Sequence, residues 1–470
     1  MRMINWQAVQ IGVRTNILLK DIHLHLKKGS SLGIAGRNGS GKTILAKALA
    51  GHIPISGNYT PPLINTHFLS FHSEIQLRHR AQAYRQQRWN PADSDLIPTV
   101  ADVFSSINKQ KELQALVSKF QFENQLDKML ISLSNGEQRK FELIRALAQE
   151  PGLLVIDNAF NGLDHDSRII LHAMLRQMIL NGHPIVLTGI KASDFPEGIE
   201  QFVLLEKQTA VHFKRSTFPS ITAKKDKPLP QIPAWTNSSF DELIVLNKVS
   251  LIINGKVLLE DISWTVKPGE CWVLSGKNGS GKTSLLNMIF ADNPKAYLYD
   301  IRLFGKPRGS GETIWDIKNK IGFVSPEMHQ YLPGRQTVND VVCSGFFGSE
   351  GLYKQASSYQ RNLADQWLRQ IGLKHLSAKP FSTLSSSAQR MVLIIRSMLK
   401  HPPLLLLDEP FQGLDPENIV LMQDLLNELA RQTNCAMIFV SHFREEIPEQ
   451  FTLELMLEKG KTAYIGTRKK

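Results

Sequence analysis

The chain has 470 residues, 42% of them hydrophobic, and a mean hydropathy of −0.17, a composition that excludes both a disordered and a membrane-embedded protein. Its longest aliphatic runs, such as Leu404-Leu405-Leu406-Leu407, fall far short of the ~18 apolar residues of a spanning helix. The excess of 55 basic over 43 acidic side chains, a net charge of +12, favours phosphate-bearing partners: a nucleotide, a nucleic acid or an anionic membrane face.

In chain order, the segment Met1-Arg2-Met3-Ile4-Asn5-Trp6 lacks the apolar core and cleavage site of a secretory leader. The cysteines, Cys271, Cys343 and Cys435, form no CxxC pair, so neither a disulfide scaffold nor a zinc fold is expected and a reducing cytoplasm fits. Residues 31–35 read as a short apolar strand and 44–50 as a helix. Between them stands Gly36-Arg37-Asn38-Gly39-Ser40-Gly41-Lys42-Thr43, a GxxxxGK[ST] loop. Glycines there let backbone N–H groups wrap phosphates, the lysine reaches the outer phosphates, and the hydroxyl serves Mg²⁺. The following helix points its positive end at the anion. Gly36, Asn38, Gly39, Ser40, Gly41, Lys42 and Thr43 are therefore expected to bind a nucleotide.

Further on, residues 78–88 carry a basic helical pattern. Leu133-Ser134-Asn135-Gly136-Glu137-Gln138-Arg139 opens a helix whose apolar positions are Phe141, Ile144 and Ala148, and Ser134 with Glu137 spells a capping box. An apolar strand follows and ends at Asp157, a carboxylate placed to hold the Mg²⁺ shell. Residues 222–239 contain Lys224-Lys225-Asp226-Lys227 and then Pro228, Pro230 and Pro233, which break helix and favour extended chain.

Beyond this linker the chain repeats itself. The loop recurs as Gly276-Lys277-Asn278-Gly279-Ser280-Gly281-Lys282-Thr283, 240 positions on, and Leu153-Leu154-Val155-Ile156-Asp157 recurs as Leu404-Leu405-Leu406-Leu407-Asp408, 251 positions on. Two homologous halves differing by a short insertion are implied. Strand–loop–helix units with buried strands predict an α/β fold, each half built on a mostly parallel sheet. The expected division is a first domain over 1–215, a basic, proline-rich linker over 216–240 and a second domain over 241–470. In the second half Glu409 directly follows Asp408, where a carboxylate can orient and polarise an attacking water.

Together, the phosphate loop, the LSxGxQ-like segment, the strand ending in Asp-Glu, the Gly-Leu-Asp turn at Gly413-Leu414-Asp415 and the later His442 resemble the ABC-type ATPases, over nearly the whole chain and twice. Within them, Arg308-Gly309-Ser310-Gly311-Glu312-Thr313-Ile314-Trp315-Asp316-Ile317 and Ile321-Gly322-Phe323-Val324-Ser325 are similar to the tandem proteins of the ModF and photorepair-protein PhrA group. The resemblance implies two P-loop nucleotide-binding domains, each with a helical subdomain, using ATP and Mg²⁺. It implies head-to-tail pairing of the two domains within one chain, with each ATP between one phosphate loop and the other signature segment. Under it, Asn278, Gly276, Gly279, Ser280, Gly281, Lys282 and Thr283 bind the second nucleotide. Ser134, Asn135 and Gly136, and Ser385, Ser386 and Ser387, are the signature contacts. Thr43, Asp157, Thr283 and Asp408 serve the metal, and Lys282, Glu409 and His442 carry hydrolysis.

The halves differ where chemistry is expected. Asn158 stands opposite Glu409, and an amide is a poor base. Aligning Pro196 with Pro448 puts Ile190 opposite His442. Ser387 replaces Gly136, adding a Cβ and restricting φ. All three changes fall on the site expected from the first phosphate loop and the second signature, so one hydrolytic and one degenerate site are expected. Two departures from the family bear on role. Pro326, and Ser73 in the first half, stand where a metal-contacting glutamine is usual. Val13 and Ile253 stand where an adenine-stacking aromatic is usual. The expected role is an ATP hydrolase (ATP and water to ADP and phosphate) that drives domain closure, cytoplasmic or peripheral on the inner face of the plasma membrane. It would serve separate membrane subunits of a molybdate-type transporter or act as a soluble relative. The alternatives are a ribosome-associated translation factor of the same class and an ATPase in DNA repair or regulation.

Overall fold

The computed structural model describes all residues except 1–3, 14–15, 28, 61–64, 71–97, 131–132, 134, 161–162, 164, 207, 219–238, 254–255, 278, 327, 329–334, 350 and 469–470. The basic segment 78–88, the proline-rich stretch, Ser73, Ser134 and Asn278 thus lie outside the described residues. The chain divides into two compact units, Met1–Ile221 and Thr222–Lys470.

The first unit runs β1 (Ile4–Val13), β2 (Asn16–Leu26), β3 (Leu32–Ala35), α1 (Lys42–Leu49), β4 (Ile55–Tyr59), β5 (Thr66–Ser70), α2 (Val100–Ser105), α3 (Gln110–Lys119), α4 (Asn135–Leu147), β6 (Leu153–Asp157), α5 (His165–Leu180), β7 (Ile185–Gly189), β8 (Gln201–Glu206) and β9 (Thr209–Lys214). Its main sheet has the order β5-β6-β7-β3-β8-β9. Every pairing in it is parallel except the edge hairpin β8–β9. A second, antiparallel sheet of order β2-β1-β4 covers one face, a layer the repeat pattern alone does not foretell.

The second unit repeats the plan with β10 (Ile244–Ile253), β11 (Lys256–Val266), β12 (Cys271–Ser275), α6 (Lys282–Ile289), β13 (Asp300–Leu303), β14 (Lys306–Pro307), α7 (Ile314–Lys318), β15 (Ile321–Val324), α8 (Val338–Cys343), α9 (Ser358–Gln370), α10 (Ser386–Met398), β16 (Leu404–Asp408), α11 (Pro416–Gln432), β17 (Ala436–Val440), β18 (Leu453–Glu458) and β19 (Lys461–Thr467). The sheets are β15-β16-β17-β12-β18-β19 and β11-β10-β13-β14.

Burial explains the strand sequences. All of β6, β7, β16 and β17 is buried, as expected of parallel strands covered on both faces, so their apolar residues run on instead of alternating. The helical lobe of the second unit packs α8, α9 and α10 through Val341, Trp367, Met391 and Ile394, all at most 1% exposed. Each such side chain contributes about 1.5–3 kcal/mol. The lobes begin alike: Thr99 with Asp102 caps α2 and Thr337 with Asp340 caps α8, each as a capping box, which satisfies helix N–H groups that would otherwise be unpaired. In both units the strand before the phosphate loop lies beside the β7-type strand, so the loop meets the C-terminal ends of the strands that carry Asp157 and Asp408.

Candidate functional site

In the second unit the loop between β12 and α6 is a cradle only glycine can form. Gly276, Gly279 and Gly281 have φ of 138°, 76° and 104°. A Cβ on Gly276 would stand 2.2 Å from the Leu457 carbonyl oxygen. Gly281 is the N-cap of α6 and no side chain caps it, so the positive end of the helix faces the loop, where an anion is favoured. Lys282 is 8% exposed, and its Nζ donates to the Gly276 and Lys277 carbonyls at 2.7 and 3.0 Å. The Ser280 hydroxyl is buried with no hydrogen-bond partner.

At the end of β16, Thr283 Oγ1 lies 3.4 Å from Asp408 Oδ2. Burial, and the Glu409 charge beside it, push Asp408 up to about 6. Glu409 sits at φ 45°, a left-handed conformation that glutamate seldom takes and that costs about 1–3 kcal/mol. Its carboxylate is gripped from two sides: His442 Nε2 lies 3.1 Å from Oε1, and Gln412 Nε2 donates to Oε2 at 3.2 Å. Behind the turn, Arg390 of α10 is 4% exposed. Its guanidinium donates to the carbonyls of Pro410, Ser325, Asp408 and Glu409 at 2.9, 2.6, 3.3 and 2.6 Å. Burial holds it down at about 10, against the pull of Asp408 and Glu409.

The first unit reproduces the cradle. Gly36, Gly39 and Gly41 have φ of 153°, 80° and 101°, Lys42 Nζ donates to the Gly36 and Arg37 carbonyls at 2.7 and 2.9 Å, and the Ser40 hydroxyl is again buried and unpartnered. The acid turn differs. Asp157 is fully buried and accepts two hydroxyls, Thr43 Oγ1 on Oδ2 and Thr188 Oγ1 on Oδ1, both at 2.7 Å. Asn158 keeps the left-handed turn at φ 53°, which asparagine tolerates better than glutamate. Arg139 donates to the Asn158 and Ala159 carbonyls, as Arg390 does in the other unit. Strand register fixes the comparison of the next strand: Leu154 pairs with Ile185 and Leu405 with Met437. Thr188 is thereby equivalent to Val440 and Ile190 to His442. The Ile190 and Lys191 N–H groups donate to Asp194 Oδ2 at 2.7 and 2.8 Å, and Arg168 pairs with Asp194.

Each unit thus gathers its loop lysine, loop threonine and strand aspartate. Asn135 and Gly136 open α4, and Ser385, Ser386 and Ser387 open α10, with Ser385 as N-cap. Ser387 lies in regular helix, 1% exposed, and its hydroxyl accepts from Asn418 Nδ2 at 3.0 Å. No left-handed φ is required there, so the serine costs the fold of its own unit nothing. Glu137 accepts from Lys128 Nζ at 2.7 Å. Reading the sequence misses Thr188, Asn418, Gln412 and the two buried arginines. Only the arginines leave a signal, since Arg139 and Arg390 occupy the same place in the two signature segments.

A family model described as ABC transporter matches residues 19–161 and again 259–412. The chain belongs to the ABC transporter family. Among its relatives in that family is the ABC transporter ATP-binding protein ModF of Escherichia coli, 35% identical over 95% of each chain. An uncharacterised ABC transporter ATP-binding protein of Schizosaccharomyces pombe is 29% identical over 94% of this chain and 95% of its own. In fold the chain is similar to archaeal ABCE1 in a ribosome-bound complex with Pelota, with TM-score 0.64, 18% identity, and 97% of this chain and 78% of that one covered. The ABC transporter family binds ATP, and the two cradles fit its phosphates: the buried hydroxyls of Ser40 and Ser280, without a hydrogen-bond partner, and the positive ends of two helices that no side chain caps are what an anion would satisfy. The threonine–aspartate oxygens suit Mg²⁺. Among the described residues no group of three or more His, Cys, Asp or Glu could hold a metal, so nucleotide phosphates and water would complete the shell. No helix among the described residues is long and apolar enough to cross a membrane.

Proposed function

We propose that this tandem ABC protein hydrolyses ATP at the phosphate loop of its second unit and retains nucleotide without turnover at the first. The observation that carries the reading is the Glu409–His442 pair, 3.1 Å apart, against Asn158 and Ile190 at the equivalent places. Glu409 would take the proton of the attacking water, and His442 and Gln412 would hold the carboxylate in line. Lys282 would steady the outer phosphates, exchanging its loop carbonyls for phosphate oxygens. Mg²⁺, when bound, supplies charge to the phosphates, and Thr283 and Asp408 would hold it. At the first loop Lys42, Thr43 and Asp157 would bind the same complex, but the amide of Asn158 cannot serve as a base. Paired as the family resemblance implies, the first loop would work with the Ser385–Ser387 signature and the second with Ser134, Asn135 and Gly136, and ATP binding would drive closure.

The role this favours is the cytoplasmic ATP-binding component of a transporter of the molybdate-uptake kind, with separate membrane subunits, or a soluble relative. The 35% identity to ModF over nearly the whole chain supports that placement. The experiment compares Lys282→Ala with Lys42→Ala for phosphate release and nucleotide stoichiometry. Lys282→Ala should abolish turnover. Lys42→Ala should remove one bound nucleotide and leave turnover partly intact. Turnover near wild type in Lys282→Ala overturns the assignment.

A further inference from the structure

We infer that Thr188 is a positioning residue that presets Asp157 for a metal–nucleotide complex at the first phosphate loop; this rests on the reading of that loop as a retention site. One hydroxyl does two tasks. As donor it fixes Asp157 Oδ1 at 2.7 Å, and as acceptor it takes the Asn158 N–H at 2.9 Å. Thr188 is 1% exposed, so neither bond competes with bulk water. With Oδ1 tied, Oδ2 is the oxygen left beside Thr43, whose hydroxyl donates to it at 2.7 Å.

Among the described residues the second unit has no such tie. Val440 stands in place of Thr188 and carries no hydroxyl. The Glu409 N–H goes instead to the Val440 carbonyl at 3.0 Å, and the threonine–aspartate contact lengthens to 3.4 Å. The two sites therefore differ in freedom as well as in the base. At the second, the aspartate has valine in place of that hydroxyl behind it. At the first, it is held before any metal arrives. The turn after β7 is tied too, since Asp194 holds two of its N–H groups and Arg168 holds Asp194. Partners of this kind behind a metal-binding carboxylate are worth about 10–100-fold in metal affinity.

The test uses the full chain carrying Lys282→Ala, so that the first loop dominates binding, and titrates Mn²⁺ in the presence of ATP while free Mn²⁺ is read by electron paramagnetic resonance. Adding Thr188→Val should weaken Mn²⁺ binding about tenfold, and Thr188→Ser should stay within about twofold of the parent. In a Lys42→Ala chain, Val440→Thr should tighten Mn²⁺ binding at the second loop, an independent arm that decides the matter if Thr188→Val does not fold. Unchanged affinity in Thr188→Val, or no gain in Val440→Thr when Thr188→Val fails to fold, overturns the role of Thr188 and leaves the retention site standing. Absence of any protein-bound Mn²⁺–ATP in Lys282→Ala, beyond the Mn²⁺ taken up by the same ATP without protein, overturns both.

Discussion

The imidazole of His442 and the carboxylate of Glu409 meet at 3.1 Å across the ends of β17 and β16, although the two residues are brought together only by strand pairing. Asp408 opposite Val440 in the parallel ladder sets the spacing. Glu409→Gln should therefore keep nucleotide binding and lower turnover ~10²–10⁴-fold, with His442→Ala acting in the same direction. Phosphate release beside equilibrium ATP binding checks this, and release within about threefold of wild type in Glu409→Gln would falsify it. Asn158→Glu in the Glu409→Gln background should restore no fast single turnover, because Ile190 still offers no hydrogen-bonding side chain and groups acting as a unit do not rescue singly.

Ser387→Gly, a change toward the other signature, should destabilise the second unit. It removes the hydroxyl that accepts from Asn418 and places a flexible residue in helix. Each effect is worth about 1 kcal/mol. A lower denaturant midpoint with unchanged slope is the expected result, and a higher midpoint would contradict it.

Lys400 gives the second unit a pH dependence. Burial, and then the charge of Arg396, press its amine down to about 8 from an ordinary 10.5, while it donates to the Lys318 carbonyl. Between those two values the unfolded chain binds more protons than the folded one, so stability rises as pH rises from about 8 to about 10.5. Below about 8 the whole penalty of burying the charged form is present. Lys400→Met should flatten that rise. Thermal midpoints measured across the window, alike in wild type and Lys400→Met, would dismiss the idea.

What the sequence made legible was whatever is local and repeated. The phosphate loops are legible because a left-handed turn demands glycine at fixed places, and the buried strands because they run apolar from end to end. Asp157, Asp408 and Glu409 follow from being the first charges after such runs. The contacts of Arg390 were not legible: its four carbonyl partners lie 18 to 65 residues away. Nor was the pairing of Thr188 with Asp157, which depends on the register of two strands. Ser387 shows the converse limit, since substitution logic marks the loss of glycine but not the direction in which the new side chain turns.

The arginines behind the acid turns grip main-chain oxygen, and this separates two properties of one residue. Arg390 takes the carbonyl of Glu409 and Arg139 that of Asn158, whatever side chain either position bears. A substitution there can remove the carboxylate and leave the link between helix and strand end untouched. The proposed chemistry rests on side-chain atoms and the packing of the turn on main-chain atoms. The acid turn of the first unit therefore keeps the architecture of the second, with Asn158 where Glu409 stands.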